Sequence, residues 1–172
     1  MIVQSNSEQE TEAAGEALAK ALPDGAVVAL YGDLGAGKTA FVRGLARGLG
    51  LTDRVSSPTF TIVNEYLGGA RPLFHFDMYR LSGPEELFGI GWDDYLTRGG
   101  VIAVEWSENV ETAFEGTELR VRLTRLSDTA REIEIEENTS GIFPPLRGGN
   151  AEEETHGVFP PQKGGKTEEE SC

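Results

Sequence analysis

The sequence has a single cysteine, and it is the last residue, Cys172. No intramolecular disulfide can form and no cysteine-built zinc site is available, which fits a reducing interior compartment. Basic residues are also scarce: 15 Lys and Arg stand against 29 Asp and Glu, a formal net charge of -14. A chain of that charge repels nucleic-acid phosphates, so if RNA is involved most of the grip must come from another protein. Long apolar runs are missing too. Met1-Ile2-Val3-Gln4 lacks the basic region and apolar core of an export signal, and no later run approaches the length needed to cross a bilayer. The expected setting is the cytoplasm, without a membrane partner. The 172 residues suit one domain of ordinary size.

What is present is Gly32-Asp33-Leu34-Gly35-Ala36-Gly37-Lys38-Thr39, which fits the phosphate-binding pattern G-x-x-x-x-G-K-[ST] at every fixed position. Its context agrees with the pattern. Val27-Val28-Ala29-Leu30-Tyr31 before it is short and β-branched enough for a buried parallel strand. After it, Phe41, Val42, Leu45, Ala46 and Leu49 recur at helical spacing, with Arg43 and Arg47 on another face. Strand, glycine-rich loop and helix follow in order, so the loop's amides and the positive end of the helix are expected to cradle a polyphosphate. Gly35, Ala36 and Gly37 would supply main-chain N–H groups. Lys38 would reach the β and γ phosphates, and the Thr39 hydroxyl would join the shell of a magnesium ion. A turn that merely joined strand to helix would not require Lys and Thr there.

The rest of the chain reads as an α/β fold, a P-loop NTPase-like mixed sheet flanked by helices. A first helix is expected over Ser7 to Leu22, with Ser7 as its cap and Glu10 three residues on. Gly50 supplies the stop after the loop's helix. Thr59 to Leu67 and Leu73 to Tyr79 read as the strands of a hairpin. In the second, a period of two puts Phe74, Phe76 and Met78 on one face and His75, Asp77 and Tyr79 on the other. Short helical turns are expected at Pro84 to Leu87 and at Trp92 to Leu96. Val101 to Val104 is another buried strand, ending in Glu105-Trp106. Strands at Glu118 to Leu126 and Arg131 to Glu136 alternate charged and apolar residues, so each has one face in water.

From about Asn138 the composition shifts. Gly141-Ile142-Phe143-Pro144-Pro145-Leu146-Arg147-Gly148-Gly149 recurs as Gly157-Val158-Phe159-Pro160-Pro161-Gln162-Lys163-Gly164-Gly165, each copy followed by three glutamates. Residues 1–137 read as a P-loop domain and 138–172 as a disordered, acidic, Pro/Gly-rich tail with a tandem duplication. Neither copy carries P-x-x-P, so composition favours disorder over a polyproline docking site. The tail holds three basic and six acidic residues, which leaves eleven of the fourteen negative charges on the body.

A nucleotide-hydrolysing site needs a second acidic anchor for its metal, a group that feels the γ-phosphate, and a means of placing water. Glu105, at the end of a buried strand, has the position of such an anchor, and an ordinary solvated acid is the competing reading. Trp106 beside it suits either packing against a base or a half-buried structural role. Asp77 is the second carboxylate that fits a metal-bound water or an attacking one, while a lone histidine such as His75 is more often structural. Ser56-Ser57-Pro58-Thr59 is either a plain turn or a switch segment whose Thr59 hydroxyl meets the γ-phosphate.

Four blocks, Gly32 to Thr39, Ser57-Pro58-Thr59-Phe60, His75-Phe76-Asp77-Met78-Tyr79-Arg80-Leu81 and Glu105-Trp106, occur in the order seen in the TsaE family, the bacterial ATPases of tRNA threonylcarbamoyladenosine biosynthesis. The resemblance spans about Ser7 to Glu136. It implies a small domain that binds and hydrolyses ATP with Mg²⁺ alongside the TsaB and TsaD proteins, which carry threonylcarbamoyl transfer to adenosine in the tRNA anticodon loop. tRNA would then be met only through those partners. The resemblance also implies metal positions at Thr39 and Glu105, a need for Asp77 in hydrolysis, and a nucleotide-side place for Trp106; Lys38, from its place in the phosphate loop, is the further catalytic candidate. Arg131 matches a late basic position near the nucleotide more loosely.

Other uses of the loop stay open. A small-molecule kinase needs an arginine-dense lid, whereas Arg71, Arg80 and Arg98 are scattered. A GTPase would carry D-x-x-G and N-K-x-D, and neither is found. A nucleotide-sensing adaptor, in which binding alone matters, is compatible with the same residues.

Overall fold

Ala26–Tyr31 forms a strand in which every residue is buried. A strand covered on both faces must be apolar on both, which is why this segment shows no alternation. The computed structural model describes residues 1–114 and 116–136. The expected disorder of 138–172, with its duplication, lies outside the described residues. In chain order the elements are β1 (Ile2–Ser5), α1 (Glu8–Ala21), β2 (Ala26–Tyr31), α2 (Lys38–Gly48), β3 (Val63–Tyr66), β4 (Leu73–Asp77), α3 (Trp92–Thr97), β5 (Val101–Glu105), β6 (Leu119–Arg125) and β7 (Arg131–Glu136). Short 3-10 turns at Pro84–Ile90, Ser107–Asn109 and Glu111–Phe114 complete them.

The seven strands form one sheet in the order β1-β7-β6-β2-β5-β4-β3. β2 lies between β5 and β6 and is parallel to both, and β4 is parallel to β5. Antiparallel pairings close the edges, β3 on β4 at one side, β7 on β6 and then β1 on β7 at the other. A mixed α/β sheet flanked by helices is therefore present. One face packs against α1 and α2 through Leu18, Val28, Leu30, Phe41 and Leu45. The other buries Phe74, Phe76, Met78, Ile102 and Trp92, so the period of two in β4 turns its phenylalanines away from His75 and Asp77.

Two boundaries differ from the sequence reading. The strand expected from Thr59 begins only at Val63, because the N–H groups of Thr61 and Ile62 both donate to the Pro58 carbonyl and fold 58–62 into a turn. Ile62 takes a φ of +69°, which ends that turn and starts the strand. β1 was not expected at all. Four residues are too few to show a period, and the strand owes its form to β7, in register from Ile2↔Glu134 to Ser5↔Arg131. At the other end of the hairpin, β4 stops at Asp77 rather than Tyr79.

α1 starts as its sequence suggests. The Ser7 hydroxyl accepts the Glu10 N–H at 3.1 Å, and the Glu10 carboxylate reaches back to the Asn6 N–H at 2.7 Å. Arg43 and Arg47 of α2 pair with Glu8, Glu12 and Glu16 of α1. Exposed ion pairs of this kind contribute little. Close approach of the two helices matters more. A methyl carbon at Gly44 would lie 1.9 Å from the Glu12 carbonyl oxygen, and one at Gly15 would lie 2.2 Å from that of Phe41. Gly44→Ala should thus destabilise despite the better helix propensity of alanine, by about 2–3 kcal/mol, lowering Tm by roughly 5–10 °C. Gly89→Ala, where an added carbon meets nothing within 4 Å, is the control and should leave thermal unfolding nearly unchanged.

Candidate nucleotide-binding site

The loop from β2 to α2 turns on glycines at φ values that side chains resist, +136° at Gly32 and +106° at Gly37. At Gly32 space is lacking as well, since a methyl carbon would sit 2.3 Å from the Leu123 carbonyl oxygen. Gly37 is the cap of α2 and has no side chain to occupy the first amides, so those N–H groups are left for an anion.

Lys38 is 5% exposed. Its Nζ donates to the carbonyls of Gly32 and Asp33 and lies 3.9 Å from the centre of the Trp106 ring. Burial pushes its pKa below the ordinary lysine value, with Glu105 foremost among the carboxylates that pull it back up.

Glu105 ends β5, opposite Leu30 on one side and Asp77 on the other. Ligands of open parallel sheets collect outside these carboxyl ends. Its Oε1 accepts the Thr39 hydroxyl at 2.8 Å and lies 2.9 Å from His75 Nε2. His75 is fully buried, so the imidazole fixes the carboxylate from behind while Thr39 meets it from the loop. The sequence alone left His75 as a structural residue. Asp77, 2% exposed, accepts the hydroxyls of Ser57 at 2.9 Å and Thr59 at 2.5 Å on Oδ2, and the Tyr79 N–H at 3.0 Å on Oδ1. Trp106 follows with a φ of +57°, a strained value for a non-glycine residue, and its ring packs against Tyr79 at 5.0 Å. Arg131, at the start of β7, donates to the Asp128 carbonyl at 3.0 Å and the Gly35 carbonyl at 3.4 Å, which ties the far end of the sheet to the loop.

All of Gly35, Ala36, Gly37, Lys38, Thr39, Thr59, Asp77, Glu105, Trp106 and Arg131 line a single cleft of about 630 Å³. Several other lining residues were not anticipated: Ser7 to Thr11 except Glu10, Arg43, and the turn residues Asp128 and Thr129. Arg43 had a signal, since it lies one helical turn after Thr39 and so shares its face. Ser7 was legible as a helix cap, but nothing local says that the cap faces the loop.

The donor set suits a hard cation: a hydroxyl from Thr39, carboxylates from Glu105 and Asp77, and loop amides for an anion beside it. Among the described residues no three His, Cys, Asp or Glu side chains gather into a cage.

The Ser57 and Thr59 contacts make Asp77 the anchor of the 58–62 turn. Asp77→Ala should raise amide exchange at Thr61 and Ile62 at least ~10-fold, since hydrogen bonds to a charged acceptor contribute about 1.5–3 kcal/mol. Unchanged protection at both amides would mean the turn holds itself.

No helix among the described residues is long and apolar enough to cross a membrane. Residues 5–133 match the family model described as Threonylcarbamoyl adenosine biosynthesis protein TsaE. A tRNA threonylcarbamoyladenosine biosynthesis protein TsaE from Bacillus subtilis is 43% identical over 125 residues, 73% of this chain and 78% of that protein. The protein of the same name from Treponema pallidum is 40% identical over 131 residues, 76% of this chain and 96% of its own length. The crystal structure of Bacillus subtilis YdiB superimposes with a TM-score of 0.70 at 36% identity, covering 80% of this chain and 85% of that one. With a family match over residues 5–133, which takes in the glycine loop and strands β2 to β6, and relatives of this similarity, the chain belongs to the TsaE family.

Proposed function

We propose that this chain serves tRNA threonylcarbamoyladenosine biosynthesis as a magnesium-dependent ATPase, working in the cytoplasm with TsaB and TsaD and meeting tRNA only through them. The observation that carries the reading is the 2.8 Å bond between Thr39, first turn of α2, and Glu105, end of the neighbouring strand. A hydroxyl and a carboxylate brought together beside a glycine loop suit a metal–triphosphate pair and little else.

In this reading the loop amides of 35–39 bind the polyphosphate, and Lys38 leaves the Gly32 and Asp33 carbonyls to neutralise its outer phosphates. Thr39 and Glu105 would hold Mg²⁺, which when bound offsets charge that develops on the phosphoryl oxygens. Asp77 orients water, directly or through the Thr59 hydroxyl it accepts from. Trp106 supplies an aromatic face at the cleft, and Arg131 a cation beside the loop. A net charge of -14 agrees with an energy input that reaches RNA through a protein interface.

Two measurements test this: calorimetry of the folded protein with ATP and Mg²⁺, and phosphate release with and without TsaB and TsaD. Binding heat is expected, with hydrolysis stimulated by the two partners. Absence of heat at saturating ATP would end the proposal, and phosphorylated metabolite in place of free phosphate would favour a kinase.

A further inference from the structure

A second cleft, of about 760 Å³, has no part in the site above. It lies on the sheet face away from α1 and α2, where Val27, Leu87, Trp92 and Phe114 line it. Phe88 and Leu96 stand at its lip, 77% and 42% exposed. Large apolar side chains left in water beside a groove mark a docking surface. Glu85 and Asp93 also line the groove, and the Trp92 indole N–H has no acceptor among the described residues. A matching occupant brings an aromatic ring for the apolar floor and a cation for the two carboxylates.

The chain itself contains that combination. Glu136, the last described residue, is paired with Arg120 of β6, and Arg120 reaches Glu111 at 3.0 Å. Glu111 precedes Thr112, Ala113 and Phe114 of the groove wall, so the described chain ends beside the groove, and 36 residues of sequence follow Glu136. They hold Ile142-Phe143-Pro144-Pro145-Leu146-Arg147 and Val158-Phe159-Pro160-Pro161-Gln162-Lys163. Both copies keep a β-branched residue, Phe-Pro-Pro, one variable position and a cation. Phe143 comes seven residues after Glu136, within ~23 Å of extended chain.

We infer that this groove is a docking site for the chain's own Phe-Pro-Pro repeats, one copy at a time, with Phe143 or Phe159 on the apolar floor and Arg147 or Lys163 at Glu85 and Asp93. The proline pair stiffens the segment and lowers the entropy lost on docking. A short tether gives the first copy an effective concentration on the order of millimolar, so even a weak contact is populated. Absence of P-x-x-P removes the usual route to a foreign polyproline-binding domain, and does not bear on a groove that reads a ring and a charge.

The test is amide NMR of the full chain. Replacing both Phe143 and Phe159 by Ala should move the signals of Phe88, Trp92, Leu96 and Phe114 and leave Lys38 and Thr39 in place. Replacing Phe143 alone should give part of that shift. A synthetic peptide of residues 140–149 added to the double variant should move the same signals back, and the same peptide with Arg147→Glu should bind at least ~10-fold more weakly. Phe88→Ser, at an exposed position that the fold does not need, should blunt the response to the peptide. Identical groove signals in wild type and double variant would overturn the inference. Shifts in the wild type that grow with protein concentration would overturn it too, in favour of a second copy of the chain as occupant.

Discussion

Changing Lys38 to alanine is expected to lower ATP hydrolysis by ~10²–10³-fold, in the presence as in the absence of TsaB and TsaD, while Tm moves by only a few degrees. The two parts rest on the same geometry. The ammonium is buried enough that its pKa falls below the usual lysine value, so the fold holds that charge at a cost in desolvation. What it gains in return are two carbonyl acceptors and the face of Trp106. Alanine gives up both, and stability changes little because the losses and the relief oppose each other. Activity has no such compensation, because among the described residues no other lysine lines the cleft. Phosphate release and thermal unfolding on one preparation check both parts. A related hypothesis is that hydrolysis resets the complex with TsaB and TsaD. If so, the variant supports no more than about a single round of modification in a purified system. Many rounds would exclude the reset.

The central part of this fold was legible because its signals are local. β2, the glycine loop and α2 form a continuous stretch whose burial, backbone angles and helix stripe are set by neighbouring residues, and the expected Ser7 cap and Gly50 stop are found. Glu105 was legible as well, since an acid at the end of a run of buried residues is visible without knowing the sheet order. The parts that were missed depend on distant partners. β1 exists because β7 is there to pair with, and the strand expected from Thr59 is shortened by bonds to a single carbonyl, that of Pro58. His75 is the clearest case. Its sequence gives alternation and nothing more, and its contact with Glu105, 30 residues away, follows from β4 lying beside β5 with Asp77 opposite Glu105. The ring of charged and hydroxyl groups from α1 is of the same kind, brought to the loop by helix packing through Gly15 and Gly44.

For Glu105, alanine and glutamine are expected to part company, and the difference separates a bracket from a metal anchor. Glu105→Ala removes the acceptor of both Thr39 and His75. The buried imidazole is then left without a partner on either nitrogen, since Nδ1 has none among the described residues, at a cost of about 1–3 kcal/mol. Glutamine keeps a carbonyl oxygen at the same reach, so Glu105→Gln should unfold within a few degrees of the parent. The charge is gone in both, and with it the hard anionic ligand that Mg²⁺ prefers. Both variants should therefore need at least ~10-fold more Mg²⁺ for half-maximal hydrolysis, with ATP binding in the absence of metal little changed. A nucleotide-sensing adaptor would behave differently in one respect: Glu105→Gln would keep partner-dependent function as long as ATP still bound, whatever became of turnover. If instead Glu105→Gln hydrolyses ATP with the Mg²⁺ dependence of the parent, the carboxylate only holds Thr39 and His75 in place. Asp77, directly opposite it in the sheet, is then the metal anchor.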